Sequence, residues 1–231
     1  MKASENPTDE LIRFLRSAPL FADSSGKVLA ELARTCQRKK FPKGNYLFMQ
    51  ADLSEAVYVV HSGSIAIILI SPDGRELLIN EMRPGDCFGE VGALTGLPRS
   101  TGAVARMNSE VLVIPGAAFM AAIDNEPNLA RRVLNTIAER LRASSERESA
   151  LVFLDAQARL GRVLLQLDQQ YSEEGYVTIS QAELAQRTGT TRQTVAKTLG
   201  KWRRAGWLIT GRGRIVVLDH HKLEQLGQQL G

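Results

Sequence analysis

Residues 180–217 read SQAELAQRTGTTRQTVAKTLGKWRRAGWLITGRGRIVV, and the order of caps, glycines and apolar positions in that stretch decides the fold of the C-terminal third. Ser180-Gln181-Ala182-Glu183 is a capping box that opens a helix running to about Thr188. Gly189 then supplies the left-handed backbone of a sharp turn. Thr190 and Thr191 suit the cap of a second helix, Arg192 to Arg204, with Val195 and Leu199 facing inward. Ala185 stands where two closely crossing helices need a small side chain. These spacings describe a helix-turn-helix. Leu208-Ile209-Thr210 and Arg214-Ile215-Val216-Val217 flank Gly211-Arg212-Gly213, a hairpin wing with basic residues at its tip.

The charge agrees with that reading. Of 231 residues with a net charge of +4, those from Ala156 to the end hold 11 Lys and Arg against 6 Asp and Glu. The remainder holds 18 against 19. A basic surplus confined to a small unit fits a polyanion, and double-stranded DNA is the expected partner. Arg192, Gln193 and Lys197 point outward near the start of the second helix. Arg can hold guanine O6 and N7, Gln adenine N6 and N7, and Lys guanine or a phosphate. Thr191 and Thr194 suit phosphate or a thymine methyl, and Arg203, Arg204 and Arg212 suit the DNA backbone or a plain charged surface.

Upstream the periodicity is different. Leu11, Ile12 and Leu15, then Val28, Leu29, Leu32 and Ala33, mark short helices within residues 9–40. From Phe41 short β-branched runs follow: Val57–Val60, Ile65–Ile70, Leu77–Ile79 and Val111–Ile114, with turns at residues 61–64, 72–74 and 84–86. Such spacing predicts an antiparallel barrel or roll. No proline or glycine interrupts residues 128–155, which predicts a helix of ~40 Å. Along it Leu134, Ile137, Leu141, Ser144, Glu148 and Leu151 form a heptad-like seam, which suits a helix packed on its own roll but, at this length, favours a parallel dimer. The expected fold is therefore α+β: an N-terminal antiparallel, jelly-roll-like β-roll with helices (1–126), a dimerisation helix (127–155) and a winged helix-turn-helix (156–231).

Within the roll, residues 88–102 read FGEVGALTGLPRSTG. The glycines permit close backbone approach to an anion, and a short helical turn after Gly89 would aim N–H groups at it. Arg99 supplies a positive fork for a phosphodiester, Ser100 a hydroxyl donor, and Glu90 an acceptor for a ribose hydroxyl. On spacing alone the same residues also suit a surface Glu90–Arg99 ion pair on a turn.

Over nearly its full length the sequence resembles the Crp/Fnr family of bacterial transcription regulators. The resemblance rests on Gly85-Asp86, Gly89-Glu90, Pro98-Arg99-Ser100, Phe153-Leu154-Asp155 and the stretch from Gly189 to Leu199. It implies a cyclic-nucleotide pocket, with Glu90 on the ribose and Arg99 and Ser100 on the cyclic phosphate. Gly89, Val91, Asn80 and Arg140 fall on further pocket positions. Ser144 would meet the purine from its own subunit and Ser145 from the partner. The family implies cyclic AMP as allosteric ligand, a homodimer on a palindromic operator, and RNA polymerase as the machinery addressed. Cyclic GMP and a cyclic dinucleotide stay open, since Ser100, Thr101 and Ser144 also suit guanine. Two departures stand out. The family's cyclic AMP receptors carry Thr where Ser144 stands, and Glu where Gln193 stands, so the half-site is expected to differ at one base pair.

Other classes fare worse. A metal-dependent enzyme on this roll needs clustered histidines, and the strands offer His61 alone, with His220 and His221 far away. Cys36 and Cys87 are too few for an iron–sulfur cluster or a four-thiolate zinc site, and no haem-ligand motif accompanies them. No metal, haem or cluster is expected, nor any enzymatic activity. No apolar run reaches the ~18 residues of a membrane span, and the N-terminus shows no signal core, so a reducing cytoplasm is expected. A regulator that binds DNA without nucleotide is the main rival.

Overall fold

A computed structural model describes residues 7–171, 173–211 and 213–228. The chain divides into two compact units: one runs to Ser71 and resumes over Ile79–Leu141, the other takes Pro72–Leu78 and continues from Arg142.

The first unit begins with α1 (Pro7–Ser17) and α2 (Gly26–Thr35), the latter capped by Ser25, whose Oγ accepts from the Val28 amide. Eight strands follow: β1 (Gln37–Phe41), β2 (Tyr46–Phe48), β3 (Ala56–Ser62), β4 (Ile65–Ile70), β5 (Glu76–Met82), β6 (Cys87–Phe88), β7 (Gly102–Ala105) and β8 (Ser109–Pro115). A short helix, α3 (Glu90–Thr95), interrupts them. They form two four-stranded sheets, ordered β1-β8-β3-β6 and β2-β7-β4-β5. Their pairings β1–β8, β3–β8, β3–β6, β2–β7 and β4–β7 are antiparallel. This is the roll. α4 (Gly116–Asn125) and α5 (Pro127–Phe153) complete the N-terminal elements.

The strands show why their sequences lack polar alternation. Along β3, Val57 and Val59 enter a core shared with Leu15, Leu29, Leu32 and Phe119, while Tyr58 and Val60 face a second core with Phe48, Ile65, Met82 and Phe88. β8 repeats the alternation, with Leu112 and Ile114 in the first core and Val111 and Val113 against the second. A strand buried on both faces reads as continuous apolar sequence.

The structure corrects three readings. Gln37–Lys40 belongs to a strand rather than to helical sequence, with Lys39 opposite Val111. This strand lies at a sheet edge, where charged side chains can point to solvent and mask the strand signal. β2 was too short to read, and its register shifts between Tyr46 and Phe48. The long helix ends at Phe153, because Asp155 leaves helical geometry to cap the next helix.

The second unit contains α6 (Ala156–Gln170), β9 (Val177–Thr178), α7 (Gln181–Thr188), α8 (Arg192–Arg204), β10 (Leu208–Thr210), β11 (Arg214–Val217) and α9 (His220–Gln228). The Asp155 Oδ1 accepts from the Ala158 amide at 2.7 Å. Ser180 Oγ accepts from the Glu183 amide at 3.1 Å, and Gly189, at φ +61°, closes α7 with its N–H on Ala185 O. Thr191 Oγ1 accepts from the Thr194 amide at 3.1 Å. The caps stand where the sequence placed them. Leu164, Leu184, Val195, Leu199, Trp202 and Ile215 fill the core. Arg159 holds two helix ends, donating through Nη1 to Leu154 O (2.7 Å) and through Nε to Thr188 O (2.9 Å). The wing hairpin pairs Leu208 with Val217 and Thr210 with Ile215. β9 adds a third strand on the far side of β11, unread in a two-residue segment. Among the described residues no helix is long and apolar enough to cross a membrane.

Candidate functional site

Two sites emerge, one in each unit. In the roll the glycine loop converges on buried charge. Glu90 is 3% exposed and Arg99 5% exposed, yet they are not paired with each other. Arg99 donates through Nη1 to Gly89 O (2.7 Å) and through Nη2 to Ala56 O (2.6 Å). Its guanidinium carbon lies 4.3 Å from the centre of the Phe48 ring and 5.5 Å from that of Tyr58. Glu90 is instead met by Arg140 of α5, whose Nη1 donates to Oε1 at 2.5 Å while Nη2 donates to Cys87 O. The surface Glu90–Arg99 pair on a turn is thereby replaced by two separately held, buried charges.

Gly89 is required twice over. Its φ is +81°, and a Cβ there would stand 2.7 Å from Arg99 Nη1 and 3.3 Å from Tyr58 Cδ2. The backbone thus takes the place a side chain would fill.

Burial pulls the Arg99 guanidinium pKa down, against the opposing pull of Tyr58. Burial pushes the Tyr58 phenol up, with Arg99 restraining it. Cys87 is driven well up, first by burial and then by the Glu90 charge, so it stays a neutral thiol. Two buried atoms here have no hydrogen-bond partner: Glu90 Oε2 and Arg99 Nε. Arg99 places two of its five guanidinium N–H groups on carbonyls, Tyr58 lies beside it, and its Nε–H is without a partner. An unused acceptor and an unused cationic donor, both desolvated, are the chemistry a ribose hydroxyl and a cyclic phosphate require.

The other pocket candidates fall less centrally. Val91 is 45% exposed on α3. Ser100 is exposed. Asn80 is exposed on β5, its Oδ1 accepting from the Glu81 amide at 2.9 Å. Ser144 and Ser145 belong to the second unit: Ser144 is half-buried with Oγ 3.4 Å from Glu148 Oε1, and Ser145 is exposed. Sequence reading did not assemble Phe48, Tyr58 and Phe88 into the aromatic group behind Arg99, where Tyr58 and Phe88 stack at 5.2 Å. His61 packs against Phe14 (4.7 Å) with Nδ1 3.7 Å from Glu110.

In the second unit the outward face of α8 carries the recognition candidates. Arg192, Gln193 and Lys197 are exposed, and their side chains make no hydrogen bond or ion pair with any described residue. Thr191 and Thr194 share a hydroxyl–hydroxyl contact of 2.9 Å. Arg203 and Arg204 are exposed at the end of α8, while Arg212 lies outside the described residues. The wing adds a residue the sequence reading missed: Arg214 lies over the Tyr176 ring at 4.6 Å, which fixes its cation at the base of the hairpin. On α5, Leu134 (66% exposed) and Leu141 (67%) stand uncovered, whereas Ile137 of the same seam packs against the first core of the roll with Leu129 and Val133.

A roll with buried, partly unsatisfied charges and a winged helix-turn-helix together define a ligand-binding, DNA-binding regulator. Comparison with known proteins agrees: residues 38–126 match the cyclic nucleotide-binding domain family and residues 158–226 the Crp-like helix-turn-helix domain family. The chain is 30% identical over 215 residues to a CRP-like cAMP-activated global transcriptional regulator of Mycobacterium tuberculosis, covering 90% of this chain and 96% of that protein. It is 30% identical over 212 residues to the cyclic AMP receptor protein of Thermus thermophilus, covering 92% and 98%. Its fold resembles the solved c-di-GMP responsive global regulator CLP of Xanthomonas campestris, with a TM-score of 0.75 at 23% identity, covering 84% and 99%. The chain belongs to the Crp/Fnr family of cyclic nucleotide-binding, DNA-binding transcription regulators.

Proposed function

We propose that this regulator is a cytoplasmic homodimer whose DNA binding is switched by cyclic AMP in the roll. The observation that carries the reading is the pair of buried, half-satisfied charges, Glu90 and Arg99, held on either side of Gly89. Glu90 accepts from the ribose hydroxyl, and the Arg99 guanidinium, with Ser100, takes the cyclic phosphate. Gly89 admits the ligand to the backbone, and Val91, Asn80 and Arg140 border it. Ser144, and Ser145 from the second protomer, contact the purine. The uncovered Leu134 and Leu141 of the α5 seam support the dimer. Nucleotide favours one arrangement of the paired helices, setting the two α8 helices ~34 Å apart for successive major grooves of a palindromic operator. Thr191, Arg192, Gln193, Thr194, Lys197 and Arg212 meet the DNA, and RNA polymerase is the machinery the bound dimer addresses.

A second reading, regulation without nucleotide, draws on one fact: Arg140 already compensates Glu90. Calorimetric titration with cyclic AMP, cyclic GMP and cyclic di-GMP separates the two. The proposal expects saturable cyclic AMP binding that Arg99→Ala abolishes. Tighter binding of another of the three changes the messenger, and binding of none leaves the second reading.

A further inference from the structure

We infer that Gln193 and Ala196 together make α8 select an A·T base pair in each half-site. Gln193 holds the adenine, and the Ala196 methyl meets the methyl of the thymine. The inference rests on the DNA-binding reading and specifies which sequence that surface takes.

Val195 and Thr198 are buried, which turns the opposite side of the first two turns of α8 outward. Gln193, Ala196 and Lys197 lie on that side at spacings of three and four residues, so they form one stripe. The Gln193 carboxamide is exposed and bonds to no described residue, leaving its acceptor and its donors available. In the major groove only adenine offers an acceptor, N7, beside a donor, N6, on one base. Guanine shows two acceptors, one of which would face the carboxamide oxygen.

Ala196 is exposed and carries only a methyl. It lets the helix sit close to the groove floor, and it is the apolar element of the stripe. The thymine C5-methyl is the apolar group on the major-groove edges. A·T is thus the pair that presents all three complementary features.

The neighbours leave this choice to Gln193 and Ala196. Thr191 Oγ1 caps the Thr194 amide, and the two hydroxyls share one proton between them. At most one hydroxyl proton is left to donate outward, which suits a phosphate and carries no sequence information. Lys197 within the stripe and Arg192 beside it carry donors alone, which suit guanine or phosphate.

The test starts with selection from a random duplex pool by the full-length protein with cyclic AMP present. Affinities for the selected duplex are then measured with 7-deazaadenine, which lacks N7, in place of each adenine, and uracil in place of each thymine. One adenine per half-site is expected to weaken the wild type about ten-fold or more on losing N7, and to leave Gln193→Ala unaffected. Gln193→Glu is expected to select a C·G pair at that position, because a carboxylate accepts from cytosine N4. Uracil opposite or beside that adenine should weaken the wild type but not Ala196→Gly. Selection of an unchanged half-site by Gln193→Ala and Gln193→Glu overturns the inference. A pool that yields no enriched site with cyclic AMP, cyclic GMP, cyclic di-GMP or no nucleotide overturns the DNA-binding reading beneath it.

Discussion

Arg140 Nη1 donates to Glu90 Oε1 at 2.5 Å, joining α5 to the first residue of α3, and the same guanidinium reaches Cys87 O. The Glu90 side chain is 4% exposed, so its carboxylate has given up hydration in return for this one cation. Removing one member of a buried pair strands the other. Arg140→Met is therefore expected to lower stability by about 3 kcal/mol in urea unfolding. The double variant with Glu90→Gln should recover most of that loss. Equal losses in the single and double variants would show that the pair matters by packing alone.

How much of this was legible in the sequence depended on distance along the chain. The caps Ser180 and Thr191 and the turn at Gly189 are local devices, set by residues three or four apart, and they were read at their positions. The glycine loop was legible for the same reason. The partners of Arg99 were not: the Ala56 carbonyl is 43 residues away, and Phe48 sits on a three-residue strand that pairing, not propensity, creates. The alternative of a Glu90–Arg99 pair failed because spacing cannot say which cation of a distant helix arrives first. β1 and β9 were hidden likewise, one by edge charges and one by brevity.

Gly89→Ala meets two obstacles, a left-handed backbone and the Arg99 guanidinium 2.7 Å from the new carbon. Gly96→Ala meets only the first, with φ +67° and nothing within 4 Å of its Cβ. Both variants should lose about 1–2 kcal/mol from strain. Only Gly89→Ala should lose more than that and bind nucleotide poorly, as calorimetry and thermal melting would report. Matching nucleotide affinities in the two variants would show that Arg99 is not seated by Gly89.

Cys87 carries a thiol raised by burial. Below the ordinary thiol pKa, near 8.5, folded and unfolded chains bind the same proton, and its contribution to stability is complete. Above it the unfolded chain loses the proton first, so stability declines with rising pH by up to about 1.4 kcal/mol per unit. Cys87→Ala should flatten that decline between pH 9 and 10. In the native protein at pH 7.5 a thiol reagent should modify the half-buried Cys36 and spare Cys87 until the roll unfolds. Equal rates for both would contradict the buried position.

Thr191 caps α8 through its hydroxyl. Thr191→Ala should cost about 1 kcal/mol, and Thr191→Ser should restore nearly all of it. Arg203→Ala, at the other end of α8, should leave stability unchanged, weaken DNA binding evenly across sequences and reduce the salt slope by about one. A loss confined to one DNA sequence would place Arg203 on a base instead.

Whether nucleotide in the roll governs the DNA-binding surface is measured directly as affinity for a selected operator duplex, by fluorescence anisotropy with and without saturating cyclic AMP. Cyclic AMP is expected to tighten binding by about 5- to 150-fold, the range of an ordinary allosteric coupling, and Arg99→Ala to show the weaker affinity in both conditions. Identical affinities with and without cyclic AMP, in a protein that binds the nucleotide, would contradict that expectation.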